Sequence, residues 1–368
     1  MNKTALDKSE AFYSASQWKL IWWKFKKHKL AVVSLVFLIG MYLVAIFCEF
    51  IAPYSKKSKN IKLLSSPPVT VHFFHKGRFV GPFIYDRTAI VNPITFERTY
   101  IENQNKRYKI QGFYQGEEYE LWGLFKSNLH LFGVQTGGTL NILGTDSLGR
   151  DLFSRIIYGS RISLTIGLLG VALSLILGLI LGGISGYFGG LADLIIQRII
   201  EVIRSVPTLP LWMALGATLP TNWNPLAIYF MITVILSFIG WTGLARAVRG
   251  KLLAVREEDF VMAARLAGAS QKRIISKHML PSFFSHIVVT MTLAVPGMIL
   301  GETSLSFLGL GIRPPIVSWG VLLKSCQNLM SVGLYPWTIS PVFFVIFTVL
   351  AFNFVGDGLR DAVDPYSS

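Results

Sequence analysis

Cysteine and charge are both scarce in this chain. Only two cysteines, Cys48 and Cys326, occur in 368 residues, and two cysteines cannot build a disulfide framework. Cys48 belongs to an apolar run, and we assign neither thiol a redox role. Charged residues make up 15% of the chain against 52% hydrophobic residues, with a mean hydropathy of +0.50. A chain of this length and apolarity does not fit a soluble globular protein.

Catalytic signatures are missing as well. The only Gly-Lys pair, Gly250-Lys251, is followed by Leu252, so there is no G-x-x-x-x-G-K-[ST] phosphate loop. The motifs H-E-x-x-H, C-x-x-C and G-x-S-x-G do not occur. The adjacent carboxylates at 257–259 could serve acid–base chemistry, but they open a predicted helix, where acidic residues favour the positive end of the helix dipole. We therefore predict no catalytic residue, and no cofactor bound by this chain.

Metal binding has little support in the sequence. The six histidines are scattered, and only His72 and His75 lie close together. Two histidines could share a metal only if folding supplied a third ligand. We predict no metal site.

Acidic residues are few beside 35 lysines and arginines, and the formal net charge is +15. The basic residues flank apolar runs and do not form one face with interleaved aromatics, so we predict contact with anionic membrane lipid and no nucleic-acid partner. The basic, aromatic stretch at residues 18–27 suits a helix at the headgroup level. No small-residue cleavage site follows the first apolar run, which favours an anchor over a cleaved signal peptide.

Long apolar runs predict six membrane spans, since a span needs about 20 apolar residues. The uncharged run 205–245 is too long for one helix, and the prolines at 220 and 225 divide it. The spans are predicted at residues 30–48, 162–186, from about 195 to this break, from about 226 onward, 283–301 and about 336–355.

Positive charge predicts the orientation. Residues 19–29, immediately before the first span, contain five lysines, and short basic flanks stay in the cytoplasm. Counting spans then places both termini and the equally basic 246–281 loop inside, and residues 53–160 outside. Alternation at 95–101 and 108–110 favours strands, with turns at Asn92-Pro93 and Gly116. We predict a small hairpin subdomain near residues 70–125.

The 257–281 loop is the most informative segment. Residues 259–268 are predicted to form one short helix and residues 270–279 a second that stops before Pro281, with Gly268 at the hinge because it tolerates positive φ. The spacing resembles the ATPase-docking loop of ATP-binding-cassette (ABC) importer permeases: Glu-Ala-Ala, three residues, Gly, nine residues, Ile-x-Leu-Pro. The loop residues that correspond are Met262, Ala263, Ala264, Gly268, Ala269, His278, Leu280 and Pro281. Met262 replaces the usual glutamate and His278 the usual isoleucine.

Residues 143–155 sharpen the resemblance. Gly144-Thr145-Asp146 and the Gly149-Arg150 pair resemble the Gly-Thr-Asp-x-x-Gly-Arg-Asp stretch of dipeptide, oligopeptide and nickel permeases, C-type subunit. Residues 305–311 and 358–365 fit the same family. Leucines at helical spacing predict an interfacial helix before span two. The resemblance covers the N-terminal basic segment and everything from about 140, whereas the 55–135 insertion looks longer than in most relatives.

Several residues within the spans are candidates for packing or for a transport pathway. Gly178, Gly182 and Gly186 are four apart, which suits close helix contact within one subunit or between subunits. Pro207 and Pro210 are predicted to bend span three, and a bent helix can line a cavity. Glu302 lies near the outer end of span five, where it either faces a cavity or reaches the interface.

The resemblance implies an all-α polytopic fold of the type I ABC importer permease class, with a β-rich outer subdomain between helices one and two. It implies two ABC ATPase subunits that bind ATP and Mg, a second permease of B type, and an extracytoplasmic binding protein. The expected substrates are short peptides, with oligosaccharides or nickel as alternatives. A channel or membrane sensor without ATPase is the rival class. The predicted divisions are 1–29, 30–52, 53–160, 161–358 and 359–368.

Overall fold

The computed structural model describes residues 16–94, 98–220 and 222–364. Helices dominate the chain, and one antiparallel sheet interrupts them. The helices are α1 (Gln17–Lys27), α2 (Lys29–Ile46), α3 (Cys48–Ile51), α4 (Leu152–Phe188), α5 (Gly190–Ser205), α6 (Thr208–Ala217), α7 (Pro225–Val255), α8 (Asp259–Leu266), α9 (Phe284–Phe307), α10 (Trp319–Leu323), α11 (Leu329–Leu334) and α12 (Ser340–Val363). The strands are β1 (His72–His75), β2 (Arg78–Val91), β3 (Arg98–Leu121) and β4 (Phe125–Val134).

Five helices of the described chain are long and apolar enough to cross a membrane: α2, α4, α7, α9, and α12 with the turn before it. A sixth crossing exists if α5 and α6, which meet at an angle of 85°, count as one broken span. The break falls at Val206-Pro207, because Pro207 donates no backbone hydrogen bond and its ring disfavours a helical residue before it. Pro210 sits in the first turn of α6, where a proline is tolerated.

The second apolar helix is longer than the sequence predicts. The expected interfacial helix and span two form one continuous element of 37 residues, α4. No proline interrupts it, and the small residues Gly159 and Ser160 are buried in its helical core instead of ending it. The Asp151 carboxylate caps the start of α4 by accepting from the Ser154 backbone N–H.

The centre of the bundle is a set of apolar side chains shared by α4, α7 and α9. Ile166, Leu236 and Ile299, one from each helix, are completely buried. Close packing of these side chains holds the three helices together, and the shorter segments pack around them.

Between α3 and α4 the chain forms a four-stranded meander in the order β1-β2-β3-β4, with every neighbouring pair antiparallel. The first half of β3 pairs with β2 and its second half with β4. The strands extend to residue 134, beyond the predicted limit near 125, and residues 95–97 of the predicted strand lie outside the described residues. The sheet rests on α3: the His130 ring bonds the Ala52 carbonyl over 2.7 Å, and Phe50 contacts Phe113.

The predicted turn at Gly116 is wrong, since this residue lies inside β3. The pairing with β4 shifts register between Gln115 and Tyr119, and a Cβ at Gly116 would lie 2.8 Å from Cδ2 of His130. Glycine is therefore needed for the close approach of the His130 ring and not for a change of chain direction.

Candidate functional site

The hinge of the 257–281 loop has the geometry that the sequence predicts. Gly268 has φ +76°. Its N–H donates to the Arg265 carbonyl (3.0 Å), and the next N–H, of Ala269, donates to the Ala264 carbonyl (3.1 Å). These two bonds are the Schellman ending of a helix, which places a glycine in the left-handed region. Helix α8 therefore ends sharply and the chain reverses.

The second half of the loop differs from the prediction. It does not stop before Pro281: a short turn, Gln271–Arg273, continues into a π-helical stretch, Ile274–Met279, and a further helical turn, Leu280–Ser282. The Leu280 N–H donates to the Ile275 carbonyl, five residues back. Pro281 is accommodated because it lies in the first turn of a new helical segment, where its missing donor costs little.

The loop has a buried side and an exposed side. Val261, Ile274 and Met279 are fully buried in a cluster with the ends of α4 and α7, and Ala264, Ala269 and Leu280 pack against this cluster. On the opposite side Met262 is 41% exposed and Leu266 is 87% exposed, one helical turn apart. Ala263 and Pro281 are exposed, and His278 is half-buried. We refer to Met262 and Leu266 as the docking face, because they lie on the loop that resembles the ATPase-docking loop of the family pattern.

Sequence reasoning missed Leu266, which lies on the docking face with Met262, and Phe260, which lies on another side of α8. Both are exposed, and the signal was available: they are large apolar residues in an otherwise polar, basic loop. Met262 stands where the family pattern has a glutamate. Its sulfur lies 3.9 Å from an Arg265 nitrogen, but the thioether carries no charge. The docking face is thus apolar at the position where the family pattern has a carboxylate.

An ion pair fixes the helix that leads into the loop. Arg249 near the end of α7 binds both carboxylate oxygens of Asp193 on α5, at 2.6 and 2.5 Å. Asp193 also accepts from the Ser185 hydroxyl near the end of α4. These charge-assisted bonds tie the end of α7, from which the loop begins, to α5 and to the end of α4.

At the other end of α5, the break opens a cavity of about 370 Å³ between α4, α6, α7 and α9. Arg204 and Thr208 line it on either side of Pro207, opposite Ser174 and Thr242. Pro207 and Pro210 are themselves exposed. Within the described residues Arg204 has neither an ion pair nor a hydrogen bond. Its guanidinium is therefore available to an anionic ligand.

Arg204 was overlooked in the sequence because Arg198, Glu201 and Arg204 follow one another at helical spacing and suggest an ordinary solvated face. Arg198 and Glu201 do form an exposed pair at 2.7 Å. Arg204 is exposed too, and the bend at Pro207 brings α6 to the other side of the cavity that Arg204 lines.

The three glycines of α4 pack inside the chain, against α7. A Cβ at Gly178 would lie 2.7 Å from the Leu244 Cβ, one at Gly182 2.5 Å from the Ala245 carbonyl oxygen, and one at Gly186 2.9 Å from the Leu252 Cβ. Of the two alternatives for these glycines, contact within the subunit is the one observed.

Glu302 is completely buried and does not reach an interface. Its carboxylate accepts from the hydroxyls of Ser318 (2.6 Å), Ser306 (2.7 Å) and Ser163 (3.3 Å). Ser163 in turn accepts from the Trp319 backbone N–H. The carboxylate thus joins α4, α9 and α10, and three hydroxyl donors compensate for its burial.

The Gly-Thr-Asp stretch is a structural element at the outer start of α4. Asp146 accepts from Arg150 (2.7 Å) and from Arg155 (2.5 Å). Burial raises the pKa of the Asp151 carboxyl to about 6, against the opposing effect of its hydrogen-bond donors, which include Ser154. These contacts make the motif a rigid lead into α4.

Among the described residues no group of three or more His, Cys, Asp or Glu side chains could hold a metal ion. The two outer histidines have separate partners: His72 lies 3.1 Å from Glu102, and His75 2.9 Å from the Tyr85 hydroxyl.

Several long apolar helices define a multi-pass membrane protein. Comparison with known families agrees. Residues 174–366 match the binding-protein-dependent transport system inner membrane component family, and residues 16–68 match the N-terminal TM domain of oligopeptide transport permease C. The chain belongs to the family of binding-protein-dependent transport system inner membrane components, which confirms the resemblance seen in the sequence.

Curated relatives extend over most of the chain. The oligopeptide transport system permease protein OppC of Bacillus subtilis is 32% identical over 96% of this chain and 90% of its own length. The dipeptide transport system permease protein DppC of the same organism is 32% identical over 94% of this chain and 84% of its own length. OppC of Escherichia coli K12 is 41% identical, but over 60% of this chain and 71% of its own length. Since some relatives align almost end to end, the 55–135 segment is not peculiar to this chain.

One structural comparison gave an inward-facing MetNI methionine ABC transporter, with a TM-score of 0.47 and 16% identity over 58% of this chain and 98% of that chain.

Proposed function

We propose that this chain is the permease subunit of an ABC importer that moves short peptides across the cytoplasmic membrane. The observation that carries the proposal is the 257–281 loop, with its left-handed Gly268 and the exposed apolar face formed by Met262 and Leu266 on α8. Such a face suits a cleft on an ATPase subunit. The names of the curated relatives, oligopeptide and dipeptide permeases, support the same assignment.

The partners follow from this assignment. Two ATPase subunits bind ATP and Mg and supply the energy, a second permease of B type completes the pathway, and an extracytoplasmic binding protein delivers the ligand. This chain contains no phosphate-loop motif, so ATP hydrolysis resides in the ATPase subunits.

The proposed topology has six spans, with α5 and α6 as one broken span, both termini in the cytoplasm, and residues 53–160 outside. The basic flanks of α2 and of the 246–281 loop support this orientation. The broken span is supported by its 85° bend, because irregular backbone at membrane depth is tolerated where it lines a cavity.

Cysteine labelling tests this topology. In a Cys326→Ser background, Asn105→Cys on the sheet is expected to react with a membrane-impermeant thiol reagent in intact cells, and Ser270→Cys on the loop only after the membrane is opened. Both positions are exposed, whereas the remaining Cys48 is fully buried. The reverse labelling pattern would overturn the topology and the docking role together.

Peptides are favoured over sugars by the cavity at the break. Ser174, opposite Arg204, lies about 20 Å along α4 from Arg161. Arg161 is paired with Glu49 of α3, just beyond the outer end of α2, so the proposed topology puts Arg204 inside a hydrocarbon core of about 30 Å. A cation at that depth is costly unless it meets an anion or water. A peptide carries a terminal carboxylate, and a neutral oligosaccharide does not.

Uptake by the complete importer tests the function. Proteoliposomes that contain both permeases, the ATPase subunits and the binding protein are expected to accumulate short peptides only when ATP is present. Accumulation of an oligosaccharide without accumulation of peptides would contradict the proposal, and so would peptide flux that needs no ATPase subunit.

Arg204→Gln is expected to reduce uptake of peptides with a free carboxyl terminus about tenfold to a hundredfold, the range of a charge-assisted hydrogen bond. Uptake of C-terminally amidated peptides should be equal in the variant and the wild type. The ratio of uptake by the variant to uptake by the wild type reports on the permease alone, because the same binding protein delivers each peptide in both. Arg198→Gln, on the same helix but 72% exposed and paired with Glu201, is the matched control. Equal losses for free and amidated peptides would show that Arg204 does not contact the carboxylate.

A further inference from the structure

The hairpin between β3 and β4 ends in an apolar tip, Leu121–Phe125. Leu121 pairs with Phe125, and the three residues between them make the turn with positive φ at Trp122 (55°) and Gly123 (72°). Leu124 is 75% exposed and Phe125 is 61% exposed. Nothing in the described chain covers these two side chains, although they are among the most apolar in the sheet.

The tip is held against the first apolar helix. The indole N–H of Trp122 donates to the Ile46 carbonyl over 2.8 Å, and its ring lies 5.9 Å from that of Phe47. Ile46 is the last residue of α2, and both Ile46 and Leu43, one turn earlier, are exposed. Because α2 is long and apolar enough to cross a membrane, the tip lies beside the outer end of its lipid-facing side.

The sheet changes from apolar to charged immediately beyond the tip. The next cross-strand pair is Glu120 with Lys126. Both residues line a polar cavity of about 500 Å³ together with Glu49, Lys56 and Glu118. A tryptophan at the boundary, with apolar side chains on one side and charges on the other, is the arrangement of an aromatic belt at a membrane–water interface.

We propose that the Leu121–Phe125 tip inserts into the outer leaflet of the bilayer beside α2, and that it holds the extracytoplasmic sheet to the lipid surface. Lipid is the occupant because the tip continues the exposed apolar side of α2 at Ile46 and stops at the charged pair Glu120–Lys126. The sheet then has two attachments: α3 through Phe50 and Ala52, and the membrane through the tip.

Spin-label depth measurements test this proposal in the complete importer, reconstituted in liposomes of phosphatidylethanolamine and phosphatidylglycerol. Leu124→Cys and, as the matched control, Glu118→Cys are labelled separately in a Cys326→Ser background, which retains the buried Cys48. Both positions are exposed in the same hairpin, so neither substitution removes a buried side chain. A label at 124 should be relaxed more strongly by oxygen, which concentrates in lipid, than by a water-soluble nickel chelate. The order should reverse at 118.

Two outcomes would overturn the insertion. Greater access of the nickel chelate at 124 would place the tip in water. Protection from both relaxing agents at 124 would mean that a protein surface, such as the second permease or the binding protein, covers the tip in place of lipid. Transport activity does not enter this measurement, so its result is independent of the substrate assigned above.

Discussion

Gly268→Val is expected to abolish peptide transport while membrane insertion and expression stay near normal. Gly268 has φ +76°, a region that a β-branched residue avoids at a cost of order 1–3 kcal/mol. No atom lies within 4 Å of the position that a Cβ would take, so the cost is in the backbone and not in a clash. Valine would relieve it by opening the turn and losing the two hydrogen bonds that end α8.

Opening the turn changes the direction of the docking face. Val261 is the only residue of α8 that is fully buried among the described residues, and Ala264 packs beside it, so the turn at Gly268 contributes strongly to the angle of this helix. Met262 and Leu266 would then point away from the ATPase cleft, and ATP hydrolysis would be weakened or uncoupled from import. The central packing of α4, α7 and α9 belongs to a separate cluster that contains no residue of the loop, so these helices should still assemble.

Three controls separate the left-handed turn from other effects in the same uptake assay. Gly268→Asn should retain more transport than Gly268→Val, because asparagine visits the left-handed region more readily. Gly250→Ala, at a helical glycine with equally open surroundings, should transport normally, and Lys272→Ala on the exposed loop should be mild. Wild-type transport by Gly268→Val, in a complex of normal composition, would remove the docking role from this hinge.

The features that the sequence predicts well are those that local physics determines. Apolar runs locate the long helices, because the hydrophobicity of each run can be read without knowing what packs against it. A glycine ten residues into a short polar helix indicates a left-handed ending, and Gly268 has one. Pro207 likewise predicts the break between α5 and α6, because a proline lacks a backbone N–H donor in any environment.

The features that the sequence does not reveal depend on residues far apart in the chain. The carboxylate of Glu302 is satisfied by Ser163, Ser306 and Ser318, and no local pattern announces that cluster. In the sequence Gly116 suggests a turn, and only the structure shows that the His130 ring lies against it. The sequence around Arg204 predicts a solvated helix face, and only the 85° bend after it forms the cavity that this exposed side chain lines.

Adding a single methyl group at Gly182 is expected to destabilise the permease markedly, whereas the same change at Gly183 should not. A Cβ at Gly182 would lie 2.5 Å from the Ala245 carbonyl oxygen and 2.9 Å from its Cα. Both are backbone atoms of α7, so no side chain can rotate away and the two helices must separate. Overpacking of this kind costs about 1–3 kcal/mol, and separation of α4 and α7 also weakens the contacts of Gly178 and Gly186.

Gly183→Ala is the matched control, because no atom lies within 4 Å of its Cβ position. Alanine is favoured over glycine in a helix by about 1 kcal/mol, so this variant should be as stable as the wild type or more so. The half-life of the monodisperse complex at a fixed elevated temperature is the appropriate measure, since large membrane complexes unfold irreversibly. Opposite signs at adjacent positions would show that Gly182 is tightly packed and Gly183 is not, as the contact with α7 requires. Equal half-lives would mean that α4 and α7 are not in close contact, and would return these glycines to the other alternative, an interface with the second permease.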